Sequence, residues 1–239
     1  MSMVMNQKHA ISMTVPGAKS WEDVFGQEWI ETNGIGGFAS DTVSGAHSRR
    51  YHGLLVAALN PPVNRVVLLS KLEEALVVQN QTFLLSANQF PGAIFPQGYI
   101  HLTAFNRSLF PEFQYEAGGV KLKKTIAAIH GENTTVVLYE VLEAPDKFTM
   151  ELMPFTSCRD FHHTTHANDA IYTGYLFERD VFRTKNYFDS PELFIAVPHS
   201  SFAPAPQWYH NFEFPEEKSR GLDYQEDLFT HGKFSVTLR

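Results

Sequence analysis

The 239-residue sequence contains only one cysteine, Cys158, which excludes an internal disulfide framework. It also lacks an excess of basic charge: the formal net charge is −7, so no positive field exists to attract nucleic acid or an anionic membrane surface. No apolar run approaches the roughly 18 residues that cross a bilayer, and the first residues show no secretory-type apolar segment. We therefore expect a cytoplasmic protein whose partners are neither nucleic acid nor membrane.

The sequence also lacks long helical periodicity. No segment of about 15 residues repeats its apolar positions at the 3.6-residue spacing of a helix, so an α-helical barrel cannot be built from it. Charged residues are sparse, at 19% against a usual share of about 25%. Hydrophobic residues make up 44% of the chain and aromatic residues 13%, which is enough for a packed core.

Strand-like runs occupy most of the chain and predict an all-β fold. Aliphatic and β-branched residues dominate four segments, at 65–78, 120–129, 134–144 and 148–155. Turn-forming residues separate the last three of these segments, as in the sequence His-Gly-Glu-Asn at 130–133. Short strands separated by turns are typical of antiparallel sheets, so we predict a large antiparallel β-sandwich with a few short helices.

Helices are predicted at only two places. Ser20 is positioned to cap a first turn over residues 20–23, and Pro215 begins a second turn that contains two glutamates. The proline-rich stretch Pro198–Pro206 is interpreted as an irregular surface loop.

The predicted organisation has two parts. Residues 1–19 are expected to form a flexible tail, and residues 20–239 a single β-sandwich domain. The final residues, KFSVTLR, have the composition of a strand. From this we expect the natural polypeptide to be longer.

Three glycines lie within four positions, at Gly34, Gly36 and Gly37. Their spacing fits neither the dinucleotide-binding nor the phosphate-loop pattern. We predict a tight turn between two strands that needs positive φ angles, with close approach of the backbone to a ligand as the alternative.

The tetrapeptide Arg49-Arg50-Tyr51-His52 is the first candidate site. On a strand, Arg49 and Tyr51 would share one face, and Arg50 and His52 the other. A buried arginine needs an acidic partner, for which Glu73–Glu74 are candidates. Two interpretations stay open: a structural arginine–glutamate pair, or a guanidinium aimed at sugar hydroxyls or at a catalytic carboxylate.

A second candidate is Cys158–His163, followed by His166. The histidine spacing permits metal ligation, but no further group lies at a recognised distance in the sequence. We therefore predict no metal and no other cofactor. The remaining interpretations are a solvated loop, or a polar contact at an active-site rim made by Arg159, Asp160 and His162.

Glycosidases place two carboxylates across the scissile bond. Acids cluster at Glu73–Glu74, Glu216–Glu217 and Asp223–Asp227, but no pair is singled out, so no catalytic residue is assigned. Trp208 and Tyr209 follow the proline-rich stretch and are candidates for stacking on sugar rings.

Three sequence blocks together resemble a known family. They are EWIETNGIGGFASDTVSGAHSRRYHGLLVAALNPP, continuing into RVVLLSKLEEAL; MPFTSCRDFHH; and WYHNFEFPEEKSRGLDYQEDLFTHGKFSVTL. In this order they resemble the N-terminal domain of bacterial and archaeal glycogen debranching enzymes, and the first block is the most specific.

The resemblance implies a supersandwich-like β-domain followed by an (α/α)6 barrel that holds the catalytic acids. The parent enzymes hydrolyse α-1,6-glucosidic branch points of glycogen, some with transferase activity on α-1,4 chains. The expected partners are therefore the C-terminal barrel and glycogen or a branched α-glucan. Arg49, Arg50, Tyr51 and His52, with Arg159, Asp160, His162 and Trp208, are expected at the barrel interface or at the substrate. The alternatives are a stand-alone carbohydrate-binding module and a complete small glycosidase.

Overall fold

The computed structural model describes residues 11–14 and 20–239. The predicted N-terminal tail, residues 1–19, lies outside the described residues except for Ile11–Thr14, which form a strand. Almost all regular structure in the described residues is antiparallel β-structure, which confirms the all-β prediction. No helix in these two ranges is long and apolar enough to cross a membrane.

The regular elements follow one another in this order. The strands are β1 (Ile11–Thr14), β2 (Glu28–Thr32), β3 (Phe38–Thr42), β4 (Gly53–Asn60), β5 (Val63–Val78), β6 (Gln81–Leu84), β7 (Ala87–Phe90), β8 (Ala93–Gln97), β9 (Leu102–Arg107), β10 (Pro111–Ala117), β11 (Val120–Ala128), β12 (Thr135–Glu143), β13 (Phe148–Asp160), β14 (Tyr175–Glu178), β15 (Val181–Thr184), β16 (Leu193–Ala196), β17 (Ser201–Glu213) and β18 (Gln225–Leu238). The helices are α1 (Trp21–Phe25), α2 (Pro215–Ser219) and a 3-10 turn at Gly98–His101.

Two sheets form the sandwich. The larger has the order β17-β18-β13-β5-β4-β3-β2, with β6 paired to the last residues of β5, and the smaller has the order β1-β9-β10-β11-β12. Alternate residues of both sheets point into one shared core. Trp29 of the larger sheet meets Phe113 of the smaller sheet edge to face, with ring centroids 5.9 Å apart. Strands β14–β16 form a separate three-stranded sheet, and β7 and β8 form a hairpin.

Strand β5 organises the larger sheet. Its 16 residues pair with β13 along one side and with β4 and then β6 along the other. Leu76 and Val78 point into the shared core. Because side chains alternate along a strand, Glu73 and Ala75 face the outer side of the sheet.

Local sequence signals explain the short helices and the first hairpin. The Asp23 amide donates to the Ser20 hydroxyl at 3.2 Å, which confirms the predicted cap of α1, and Pro215 begins α2 as expected. Between β2 and β3, Gly34 and Gly36 have φ angles of +78° and +99°. A Cβ on Gly36 would lie 2.5 Å from the Pro62 carbonyl oxygen, so this turn needs glycine.

The prediction of a loop at Pro198–Pro206 is wrong, because strand β17 begins at Ser201. Proline removes a backbone donor and is therefore confined to sheet edges and irregular positions. Strand β17 is an edge strand, and its register shifts between Pro204 and Gln207. This explains how a proline-rich segment joins a sheet.

Phe113→Ala should test the shared core. Phe113 is 3% exposed and packs against the rings of Trp29 and Phe105, so its truncation is expected to lower the free energy of unfolding by about 3–5 kcal/mol. Denaturant-induced unfolding measures this loss. Leu138→Ala, on the outer face of β12 and 52% exposed, is the matched control and should change stability by about 0.5 kcal/mol or less. Equal losses in the two variants would contradict the assignment of the core.

Candidate functional site

Arg49–His52 lie in the connection between β3 and β4, and the prediction that they form part of a strand is wrong. The His52 amide donates to the Arg49 carbonyl at 3.1 Å, which closes a turn immediately before β4 begins at Gly53. The side chains therefore do not alternate between two faces. Arg49 points towards Glu28 of β2, and Arg50 points towards Glu217 of α2.

Glu28 is the acceptor that fastens this turn to β2. Its Oε1 accepts from the Ser48 hydroxyl at 2.6 Å and from Arg49 Nε at 2.8 Å, and it lies 3.6 Å from His52 Nε2. Burial by itself would raise the pKa of Glu28. The Ser48 hydrogen bond, the neighbouring His52 ring and the charge of Arg49 outweigh burial and hold that pKa below its ordinary value. The carboxylate is therefore ionised and serves as the anchor of the turn.

His52 is buried and neutral. The Ser48 amide donates to its Nδ1 at 3.2 Å, so Nδ1 is the acceptor and the ring proton is on Nε2, facing Glu28. Burial lowers the pKa of His52 to about 4, against the opposing effect of Glu28. This environment suits a structural histidine that holds the turn in place.

A second polar layer lies beneath the turn. Asp41 is buried, with its Oδ2 3.6 Å from His47 Nε2 and its Oδ1 accepting from the Thr42 amide at 2.7 Å. Burial raises the pKa of Asp41 to about 7, although the charge of Lys71 opposes the shift. Lys71 Nζ donates to the Gly45 carbonyl at 2.8 Å and thereby fixes the start of the connection.

Arg50 joins the turn to two other segments. Its carbonyl accepts from Arg159 Nη2 at 2.7 Å, and its Nε lies 4.0 Å from Oε1 of the fully buried Glu217. Its guanidinium carbon lies 5.4 Å from the centre of the Tyr51 ring. Burial raises the pKa of Glu217, against the effect of Arg50. The Ser48 carbonyl also accepts from the Glu216 amide at 3.0 Å, so α2 is bonded to the turn.

Arg159 and Glu226 form a buried ion pair at the centre of the site. Nη2 donates to Oε2 at 2.9 Å, Nε contacts Oε1, and the side chains are 5% and 0% exposed. Strand β13 shifts register between Thr156 and Arg159, where Cys158 has a φ angle of +51°. Such bulges redirect the following side chain, here towards β18.

The prediction that Glu73 or Glu74 is the acidic partner of a buried arginine is therefore wrong. Glu74 lies in the space between the sheets, where it contacts Tyr139 and pairs with Lys124 at 2.7 Å. Glu73 faces outward and pairs with Lys71 at 3.3 Å. Both acids are on the middle of β5, away from the turn that carries the two arginines.

An aromatic ledge of Tyr51, Phe161 and His162 borders the ion pairs on the surface. The Tyr51 ring lies 5.4 Å from Phe161 and 5.9 Å from His162, edge to face in both cases. Asp160 Oδ1 accepts from the His162 amide at 2.8 Å and lies 3.0 Å from its Nδ1. Burial raises the pKa of Asp160, but these contacts outweigh it and lower that pKa overall. The ledge is therefore ordered and partly open to a ligand or partner.

In the described part of the chain, two predicted segments and three acids, Glu28, Glu217 and Glu226, thus form one connected cluster. Residues 27–239 match the family described as "Glycogen debranching enzyme N terminal". The chain belongs to this family. A search of curated proteins found no match.

The matched range of this glycogen debranching enzyme N-terminal domain contains every predicted site residue. The fold brings seven of the eight together: Arg49, Arg50, Tyr51, His52, Arg159, Asp160 and His162. Trp208 is separate, because it lies on β17 and packs edge to face against Phe229, with ring centroids 5.2 Å apart. Among residues 11–14 and 20–239, no three histidine, cysteine or acidic side chains are grouped to hold a metal.

Sequence reasoning missed the role of Glu28, and it did not assign Glu217 and Glu226 as partners of the arginines. In the sequence the latter two stand out only as members of acidic clusters. An available signal was that Glu226 lies in the sequence QEDLFTHG, where strand alternation turns some acids inward. Alternation alone does not identify the arginine that faces such an acid.

Glu226→Gln should test the central ion pair. It leaves the buried Arg159 charge uncompensated, so we expect the free energy of unfolding to fall by about 3–5 kcal/mol, as measured with denaturant. Replacing both partners, Arg159→Met with Glu226→Leu, should recover most of that loss, because no buried charge stays unpaired. The exposed pair Lys121–Glu143 provides the control, since Glu143→Gln should leave the unfolding midpoint unchanged. A double variant as unstable as the single variant would contradict this account.

Asp41→Asn should change the pH dependence of stability. The folded protein retains a proton on Asp41 up to a pKa of about 7, whereas the ordinary value is 3.8. The protonated Asp41 therefore contributes fully to the free energy of unfolding of the wild type below pH 3.8, and this contribution is lost as the pH rises through 7. Asparagine does not ionise. The free energy of unfolding of the Asp41→Asn variant relative to wild type should therefore rise between pH 4 and pH 8, by on the order of 3 kcal/mol.

Unfolding curves at pH 4, 6 and 8 measure this difference, with Asp146→Asn in an exposed turn as the control. His52 contributes in the opposite sense, because its depressed pKa makes stability fall as pH drops from 6.5 through 4. A constant stability difference between Asp41→Asn and wild type across this range would contradict the shifted pKa.

Proposed function

We propose that this chain is the non-catalytic N-terminal domain of a glycogen debranching enzyme. In this proposal the whole enzyme hydrolyses α-1,6-glucosidic branch points, and the catalytic acids belong to a C-terminal (α/α)6 barrel. The chain docks on that barrel and completes the rim of its active site. The enzyme acts in the cytoplasm on glycogen or a related branched α-glucan.

The observation that carries the proposal is the rigid presentation of Arg50 and the aromatic ledge. Arg159 holds the Arg50 carbonyl and is itself held by Glu226, so the turn is fixed before any partner binds. In the described residues Arg50 Nε is buried without a hydrogen-bond partner and faces Glu217, while the Arg50 side chain as a whole is 13% exposed. A guanidinium fixed in this way suits recognition of a carboxylate or of sugar hydroxyls through its terminal NH2 groups.

The state of the site's own acids supports a non-catalytic role. Glu226 is committed to Arg159, and Glu28 to Ser48 and Arg49. A glycosidase needs one carboxyl group that reaches the glycosidic oxygen and a second that reaches the sugar ring. Carboxylates committed to such hydrogen bonds and ion pairs hold the turn in place and are not free for that chemistry.

A second candidate function is a stand-alone carbohydrate-binding module. One observation favours it: a concave groove lined by aromatic side chains on the outer face of the larger sheet. The two functions make different demands on the natural polypeptide. Only the first requires several hundred further residues with helical repeats, so determining the natural reading frame separates them. A frame that ends at residue 239 would leave the binding module as the better proposal.

Arg50→Ala in the longer enzyme should lower kcat/KM for α-1,6 hydrolysis by about tenfold or more, because it removes a charged contact worth at least about 1.4 kcal/mol at the rim. Steady-state kinetics on a branched oligosaccharide measure the effect, and thermal unfolding shows whether the domain is intact. The control is Arg183→Ala, since Arg183 pairs with Glu192 on the exposed three-stranded sheet. Unchanged kinetics in a stable Arg50→Ala enzyme would remove this residue from the rim.

A further inference from the structure

A groove of about 460 Å³ lies on the outer face of the larger sheet. We call it the aromatic groove, after the large side chains that line it: Phe90, Phe95, Met153, Phe155, Tyr209 and Phe212. It contains no residue of the turn at 43–52 or of the ledge, so it is distinct from the candidate rim. Its volume is within the range of about 300–1,000 Å³ that is typical of small-molecule sites.

The groove is preformed in the absence of a ligand. The β7–β8 hairpin contributes one wall, β17 contributes the other, and β5 and β13 form the floor. Phe155 and Phe212 are buried, and their rings pack against those of Tyr209 and Phe90 at 4.8 and 4.9 Å. These contacts fix the walls, so little ordering would be needed on binding.

Two aromatic rings remain available at the mouth. Phe95 is 63% exposed at the end of the groove formed by the hairpin, and Tyr209 is half-buried on the opposite wall. A single exposed aromatic residue is unremarkable on a protein surface. Here, however, the exposed ring adjoins a concave site that already contains a second partly open ring.

Two of the acids that line the groove already have a basic or an amide partner. Glu151 pairs with Lys233 at 2.7 Å, and Glu73 accepts from Asn88 at 3.0 Å. An ionised carboxylate has about four acceptor positions, so each retains the capacity to accept further hydrogen bonds. Glu73 and Glu151 place two negative charges at the groove, and Lys233 places one positive charge there. This local charge is unfavourable for a phosphate or another anion.

We propose that the aromatic groove binds a short, neutral α-glucan chain. The apolar faces of its sugar rings stack on Phe95 and Tyr209, and its hydroxyls donate to Glu73 and Glu151. Aromatic faces combined with spare carboxylate acceptors match a polyol that is apolar on one side and rich in donors at its edge. The groove chemistry requires only a neutral oligosaccharide, and the assignment to an α-glucan rests on the proposed function.

A protein segment is the competing occupant. A stable protein interface buries about 1,200–2,000 Å² and has a core depleted of charged residues. The aromatic groove is small and its lining includes four charged residues, Glu73, Glu74, Glu151 and Lys233. These features favour the oligosaccharide. The site would hold an outer chain of the polymer on the domain while a branch point is processed elsewhere.

The test is calorimetric titration of the 239-residue chain with maltoheptaose, and separately with cellohexaose, which has β-linked glucose units. We expect maltoheptaose to bind and Phe95→Ala to weaken its affinity by about tenfold, the effect of losing one stacking contact. Because Phe95 is exposed, this variant should unfold at the wild-type temperature. Phe188→Ala is the control, since Phe188 is 86% exposed but lies outside the groove.

Failure of the site and failure of the proposed function give different results. No binding of either oligosaccharide, or equal affinity in wild type and Phe95→Ala, would overturn the groove as a sugar site. If cellohexaose binds in a Phe95-dependent way and maltoheptaose does not bind, the groove is still a sugar site, but its assignment to an α-glucan is overturned. A weaker affinity in both Phe95→Ala and Phe188→Ala would also count against it, because the effect would then be non-specific.

Discussion

The buried pair of Arg159 and Glu226 is the interaction on which the candidate rim depends. It joins the end of β13 to the beginning of β18, two strands that are neighbours in the larger sheet. Through Nη2 the same arginine holds the Arg50 carbonyl, so one guanidinium connects three segments that are far apart in the sequence. Desolvating two charges is costly, and a pair of this kind is tolerated only when its geometry is fully satisfied. The pair therefore fits a role in positioning a turn better than a role in overall stability.

Much of the fold could be predicted from the sequence because its signals are local. The strand at 65–78, the cap at Ser20 and the glycine turn at 34–37 all depend on residues within a few positions of one another. The proline-rich segment was predicted wrongly because the effect of proline depends on whether the strand is central or at an edge. That distinction depends on the complete strand order, which no local window contains.

The sequence allows most residues of the candidate site to be predicted, but not the partners that these residues contact. Two arginines next to an aromatic residue and a histidine are conspicuous in a chain with few charges, and the segment at 158–163 is similarly polar. Their partners are not local: Arg50 and Arg159 are 109 residues apart, and Arg159 and Glu226 are 67 apart. The bulge before Arg159 also cannot be read from composition, and it decides which way that side chain points.

The prolines of β17 have a consequence for how the larger sheet meets other molecules. This strand forms one lateral boundary of the sheet, and Pro204 and Pro206 interrupt its row of backbone donors. A further strand laid against this boundary could not form a continuous ladder, so this edge of the sheet resists pairing with a strand of a second copy. The same segment forms a wall of the aromatic groove. One stretch of sequence thus combines a barrier to self-association with a surface that is open to a small ligand.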